Sequence, residues 1–418
     1  MTNHVNWPNE GTSQIPFGVY TQAELHQLEM QRFFYEKHWC YVGLEAEVPE
    51  PGDFKRTQIG ERSVIMVRTS SGDIRVHENI CAHRGMRFCR ERHGQVKEFV
   101  CPYHQWTYTL DGELQGVPFR RGVRQGGKVD GGLPADFQPK DHGLNTLQVA
   151  CRGGVVFASF DPYVESLESF LGPSILHYFD RLFNGRKLKI LGYNRQRIPG
   201  NWKLMQENIK DPYHPGLLHT WFVTFGLWRA DNQSELKMDA HHRHAAMIST
   251  RGSSGQAQGD AAQVTQVSSF KSSMALNDPS FLDIVPEDWW HGPSAVMTTV
   301  FPSVIFQQQV NSVSTRHIQP DGHGQFNFVW TRFGFDDDTP EMHERRLRQA
   351  NLFGPAGFVS ANDGEVIEFS QQAFESRPSH RALAELGGRG VGDTDHMVTE
   401  TLIRGMYAYW RKVMEAPR

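Results

Sequence analysis

Apolar and polar positions change rhythm twice along this chain. In residues 21–38, TQAELHQLEMQRFFYEKH, apolar side chains recur three and four apart, which predicts an amphipathic helix. Thr21, with Glu24 three residues on, reads as a capping box at its start. From residue 40 to 157 the pattern shortens into strand-like runs, SVIMVRT, DIRVHEN, FVCPYH, WTYTLDGEL and GVVFASF, separated by Ser-Gly-Asp, Asp-Gly and Gly-Gly turns. After residue 158 the two rhythms mix. Residues 167–183, 199–210, 341–353 and 399–414 predict helices. The runs 296–320 and 324–335 predict paired strands around the Pro-Asp-Gly-His-Gly turn. Residues 251–268 are small and polar, which fits a plain loop or a lid over a site. There is no internal repeat.

Composition narrows the function classes. With 418 residues, 39% hydrophobic and 22% charged, the chain reads as an ordinary globular protein of two or three domains. A net charge of −4 argues against a nucleic-acid partner. No apolar run reaches transmembrane length, and the first residues lack the basic-then-apolar order of a signal peptide. Neither a membrane nor export is therefore expected. Of five cysteines, Cys40, Cys89 and Cys151 are expected to be reduced and structural, in keeping with a cytoplasmic protein.

Candidate chemistry changes the picture most. Cys81-Ala-His83 is followed after seventeen residues by Cys101-Pro-Tyr-His104. Each turn brings one thiolate and one imidazole. That suits a Rieske [2Fe–2S] cluster, in which two Cys hold one iron and two His the other. Zinc also takes Cys₂His₂, but finger spacings put both Cys in one loop and both His in the other. Gly85, just after the first turn, permits a tight backbone. Backbone N–H groups in such loops can tune the cluster's potential.

A second stretch, Glu207-Asn208-Ile-Lys-Asp211-Pro-Tyr213-His214-Pro-Gly-Leu-Leu-His219, carries two His five apart. In a regular helix they would sit about 140° apart. Pro212 and Pro215 break that regularity and let the rings converge. Two imidazoles plus a carboxylate make the facial triad of a non-haem Fe(II) site. An H-x₄-H pair alone does not establish one. The nearby run His241-His242-Arg243-His244 lacks a carboxylate at a recognisable spacing and reads as a surface strand.

Together the two stretches resemble the Rieske-type non-haem iron, aromatic-ring-hydroxylating oxygenases. The likeness covers most of the chain, notably ENICAHRGMRFCRERHG, RQRIPGNWKLMQENIKDPYHPGLLHTWF and FPSVIFQQQVNSVSTRHIQP. It implies an α+β fold: an all-β Rieske domain (40–157) inserted between an N-terminal helix (1–39) and a catalytic iron domain (158–418) with an antiparallel sheet flanked by helices. It also implies that Asp363, in the stretch Phe353-Gly-Pro-Ala-Gly357…Asn362-Asp363-Gly-Glu365, is the third iron ligand beside His214 and His219. Asp337, Asp338 and Glu365 are then solvated or turn carboxylates. By the same resemblance Asp211 links His214 to His104 of the partner subunit, the competing reading being a local Asp-Pro turn. The implied assembly is α₃β₃ with a small β subunit, fed by a ferredoxin and an NAD(P)H-dependent reductase, because the chain has no dinucleotide fingerprint.

Within the family the closer likeness is to members acting on aromatic carboxylates. Salicylate, hydroxylated to gentisate, is the foremost candidate, with anthranilate- or terephthalate-type dioxygenation as alternatives. A Rieske electron carrier without catalysis is a further rival. A carboxylate substrate calls for a cation or donors beside apolar walls. Arg316 is the leading cation, against a surface salt-bridge role. Gln309 and Ser360 are further substrate contacts. Gln309 and Arg316 are seven apart, so on one regular strand they would face opposite ways. Leu217, Phe222, Phe225 and Trp228 are candidate walls, and core packing explains each equally well.

Overall fold

The computed structural model describes residues 5–8, 11–219, 233–250, 278, 284–287, 294–357 and 359–416. The 251–268 segment and Phe222, Phe225 and Trp228 lie outside the described residues. The chain divides into two compact units, residues 34–164 and residues 1–33 with 165–418.

The regular elements of residues 34–164 are almost all β-strands. A four-stranded antiparallel sheet runs in the order Ile74–Glu78, Arg62–Arg68, Asp53–Ile59, His93–Gln95. A second sheet combines Gln148–Arg152, Val155–Ser159 and Cys40–Leu44. A small one combines Phe99–Val100, Thr107–Tyr108 and Leu114–Gly116. The inward positions of Arg62–Arg68 and Asp53–Ile59 contribute Phe54, Ile65 and Val67 to a core that includes Phe88, Phe99, Trp106 and Tyr108. Cys81 and Cys101 are themselves part of that core.

The other unit is built on a seven-stranded antiparallel sheet. Its strands are β1 (Leu188–Ile198), β2 (Gln233–Met238), β3 (Ala245–Thr250), β4 (Ser294–Val300), β5 (Val304–Gln309), β6 (Ser312–Pro320) and β7 (Phe326–Phe335), in the spatial order β1-β7-β6-β5-β4-β3-β2. The helices that matter for function are α1 (Trp202–Lys210), α2 (Pro340–Phe353), α3 (Ser360–Ser376) and α4 (Thr401–Met414). Helix α1 is buried on nearly every side, and its start is pinned by ion pairing. Lys203 Nζ lies 2.8 Å from Glu29 Oε1, and the indoles of Trp202 and Trp410 donate to the same carboxylate. Burial lowers the Lys203 pKa, and Glu29 opposes that shift. With its charge met by three donors, the Glu29 carboxylate is not left uncompensated in the core.

Several local expectations differ from the structure. The helix expected over 167–183 is two, Leu167–Leu171 and Pro173–Leu182, separated by Gly172 in a left-handed conformation (φ +74°). Thr21 does not cap a helix; its hydroxyl donates to Phe17 O, and the following helix, Ala23–Glu29, starts after Gln22. The run 296–320 is three strands rather than one, because the chain turns at Pro302 and again at Val310–Asn311. Residues 241–244 form the tight connection between β2 and β3 and not a surface strand: Asp239 accepts the backbone N–H of His244, whose ring is buried against Phe170.

Two candidate metal centres

The two Cys–His turns are built alike. Cys81 N donates to Met86 O, and Gly85 N to Cys81 O. In the second turn Cys101 N donates to Trp106 O, and Gln105 N to Cys101 O. Both loops close through a left-handed residue at the same position, Gly85 (φ +72°) and Gln105 (φ +58°). Glycine takes that conformation freely, whereas Gln105 holds it at a cost of about 1 kcal/mol. The thiols of Cys81 and Cys101 are buried at 2% and 1% exposure and interact with each other, while His83 is exposed and His104 half-buried. The two imidazoles meet edge to face at 4.4 Å, and His83 stacks on the Trp106 indole. Partial desolvation, then the neighbouring His104 and Arg84, lowers the His83 pKa, which favours the neutral imidazole a metal needs. Tyr108 receives the N–H of Ala82, and its own hydroxyl lies 3.1 Å from Cys81 Sγ. Two inward thiols and two outward imidazoles fit a [2Fe–2S] cluster with a buried sulfur side and an exposed histidine side.

The second centre gathers His214, His219 and Asp363, whose candidate ligand atoms all lie within 4.8 Å of one another. The chain leaves α1 at Asp211, and the carboxylate of Asp211 accepts the backbone N–H groups of Tyr213 and His214. Its carbonyl takes the Nδ1 of His214 at 2.9 Å. That bond turns the His214 Nε2 toward Asp363 Oδ1, 3.6 Å away. His219 Nε2 lies 3.1 Å from the same oxygen. Asp363 sits in the first turn of α3, where Asn208 of α1 donates to it at 3.1 Å. Burial disfavours the Asp363 carboxylate, but the two imidazoles outweigh it and hold its pKa well below the usual range. Burial also works against charge on His214, yet Asp211 and Asp363 raise its pKa to about 9. Two nitrogens and an anionic oxygen on converging elements fit a 2-His-1-carboxylate iron site.

A cavity opens on this triad. Its walls include the apolar side chains of Met247, Ala295, Met297 and Val359, together with Gln309 and Arg316. Gln309 and Arg316 share the cavity because they occupy neighbouring strands, β5 and β6, joined by a tight turn. In that register Ile305 faces Arg316 and Gln307 faces Ser314, so residues 305, 307, 309, 314 and 316 point the same way. The expectation that they lie on one run with opposite faces is therefore corrected. Arg316 is 2% exposed and stacks on Trp330 at 4.1 Å, with Arg332 on the same ring at 4.2 Å. Burial, and then Arg332, drives the Arg316 pKa well down, with Asp363 opposing. No carboxylate pairs with Arg316 among the described residues.

Two other expected contacts, Ser360 and Leu217, are not among the residues that line this cavity. Ser360 is buried, but its hydroxyl donates to Gln196 Oε1 at 2.8 Å and it is not among the residues lining the cavity. Leu217 is 49% exposed and is likewise not a wall. Asp338 is a buried partner of Arg346, and Asp337 an exposed partner of Arg186. Sequence reasoning missed Gln307, which touches both Arg316 and Gln309, and the role of Asn208 on Asp363. The signal available for Gln307 was a glutamine at an inward strand position, where a buried polar group needs partners. A second cavity is lined by Glu207, Asn208, Asp211 and Glu400. Burial raises the Glu207 pKa to about 7, opposed by the hydroxyls of Tyr407 and Tyr20 that donate to it. No helix among the described residues is long and apolar enough to cross a membrane.

Comparison with known proteins agrees with this geometry. Residues 38–126 match the Rieske [2Fe-2S] domain, and residues 184–416 match the ring hydroxylating alpha subunit catalytic domain. The chain is 73% identical over 408 residues to the salicylate 5-hydroxylase large oxygenase component of a Ralstonia species, covering 98% of this chain and 96% of that one. It is 37% identical to the anthranilate 1,2-dioxygenase large subunit of Burkholderia cepacia, covering 98% and 95%. In fold it is similar to naphthalene 1,2-dioxygenase from a Rhodococcus species, with TM-score 0.79 at 24% identity over 97% of this chain and 95% of that one.

Proposed function

This chain belongs to the Rieske ring-hydroxylating oxygenases as an α subunit, and on that premise we propose that it hydroxylates salicylate at C5 to gentisate. The observation that carries the substrate reading is Arg316, a buried guanidinium facing the triad's cavity with no carboxylate partner among the described residues. Leaving such a cation uncompensated costs several kcal/mol. A substrate carboxylate supplies the missing charge through strong charge-assisted hydrogen bonds. The 73% identity to a salicylate 5-hydroxylase component supports salicylate over other benzoates.

Cys81, His83, Cys101 and His104 would hold the cluster; His214, His219 and Asp363 would hold the iron. When bound, these groups supply one-electron transfer and O₂ activation. Salicylate, O₂, NAD(P)H and a proton give gentisate, water and NAD(P)⁺, the electrons arriving through a ferredoxin and its reductase. Arg316 and Gln309 anchor the carboxylate end, and Met247, Met297 and Val359 enclose the ring. Asp211 holds the His214 ring through its carbonyl and leaves Oδ2 toward the same imidazole at 3.7 Å. By the family resemblance, Asp211 is also the residue that connects the iron site to His104 of the partner subunit. A head-to-tail contact of that kind repeats until it closes into a ring, which fits an α₃β₃ assembly with a small β subunit in the cytoplasm.

The test is product analysis of the reconstituted system with salicylate and anthranilate under ¹⁸O₂. Gentisate carrying one labelled oxygen is expected from salicylate. Turnover of anthranilate to a doubly labelled product, with none from salicylate, would replace this reading by the dioxygenase one.

A further inference from the structure

The cavity's polar wall contains a relay that fixes which end of Gln309 meets the substrate. An arginine Nε can only donate. Arg316 Nε lies 2.6 Å from Gln307 Oε1, and the Ser314 hydroxyl donates to the same oxygen at 3.3 Å. The Gln307 amide is therefore oriented by chemistry, with its carbonyl toward Arg316 and its NH₂ away. That NH₂ donates to Gln309 Oε1 at 2.6 Å. Gln309 is oriented in turn: its carbonyl is engaged, and its own NH₂ has no partner among the described residues while the side chain lines the cavity. Gln307 itself is 1% exposed, so water does not compete for this arrangement.

We infer that Gln307 is a positioning residue for substrate selection: it reads the Arg316 guanidinium and makes Gln309 present a hydrogen-bond donor, not an acceptor, to the aromatic carboxylate. This rests on the reading of Arg316 as the carboxylate's partner. The wall then offers a cation and a matched donor to an anion. A neutral carboxamide of the same shape brings N–H groups to a wall already full of donors. A site of paired donors rejects such a ligand because buried polar groups are left unmatched.

Gln307→Glu tests the relay. A carboxylate still accepts from Arg316 but cannot donate to Gln309, so the Gln309 amide turns over and offers its carbonyl to the cavity. Gln307→Met removes both bonds without adding charge, and serves if the Glu variant does not fold. Dissociation constants for salicylate and salicylamide are measured by calorimetry on the metal-loaded enzyme, with kcat and KM for salicylate alongside. In Gln307→Glu the salicylate constant is expected to rise about tenfold or more while salicylamide holds or tightens. In Gln307→Met the preference for salicylate narrows, and KM rises with kcat within about twofold, the mark of lost uniform binding. Arg316→Gln is the reference and should abolish the preference. If it does, and both Gln307 variants keep the wild-type ratio of the two ligands, the relay is overturned and the Arg316 reading stands. If Arg316→Gln itself keeps the ratio, the carboxylate reading fails and the relay falls with it.

Discussion

In residues 34–164 the four expected ligands come from two short loops that repeat each other's hydrogen bonds, with sulfur inward and imidazole outward. In the catalytic unit two of the three ligands, His214 and His219, come from the segment that follows α1, and the third, Asp363, from the first turn of α3 far downstream. Two of the three are buried, and a cationic cavity wall lies beside them. The first arrangement suits a group that only stores and passes electrons: its ligands are local and its histidine side is more exposed than its sulfur side. The second suits a group that must meet a substrate, because its position depends on how the sheet, the end of α1 and the start of α3 come together. An electron-storing site can tolerate small shifts of the surrounding fold; a substrate site that pairs charge with charge cannot.

Breaking one centre should leave the other whole. Asp363→Ala removes the only anionic ligand of the triad, so ring hydroxylation should fall at least about a thousandfold while the cluster's visible absorbance persists. Loss of that absorbance would show that the two centres are not independently built. Asp211→Asn keeps both metals but weakens the link between them. Stopped-flow oxidation of the reduced cluster in the presence of substrate and O₂ should slow by about a hundredfold or more; the wild-type rate would remove Asp211 from the electron path. The smallest effect is at Tyr108, whose hydroxyl lies beside Cys81 Sγ. Tyr108→Phe deletes a donor to sulfur, which destabilises the reduced, more negative cluster, so the midpoint potential should fall with turnover only modestly slowed. An unchanged potential by redox titration would mean that the bond does not tune the cluster.

The same contrast explains what the sequence made legible. The cluster ligands could be read directly because C-x-H and C-x₂-H are local patterns whose chemistry survives without knowing the fold. The His214–His219 pair was half legible, since the prolines that break the helix are visible but the partner carboxylate is not. Asp363 became readable only through family resemblance. Gln309 and Arg316 were suspected, yet the geometry that joins them was not, because nothing in the run 304–320 announces the turn at Val310–Asn311. Gln307 was missed for the same reason: its role exists only once β5 and β6 are paired in register. Ser360 looked well placed beside Asp363, but Gln196 from β1 takes its hydroxyl. Phe222, Phe225 and Trp228 fall outside the described residues.

The most direct test of two separate metal centres in one chain is a count of iron and acid-labile sulfide in the purified, reconstituted protein. The account predicts about three irons and two sulfides per chain, falling to about two and two in Asp363→Ala. Two irons and two sulfides in the wild-type protein would contradict it, leaving a Rieske electron carrier with no iron at His214, His219 and Asp363.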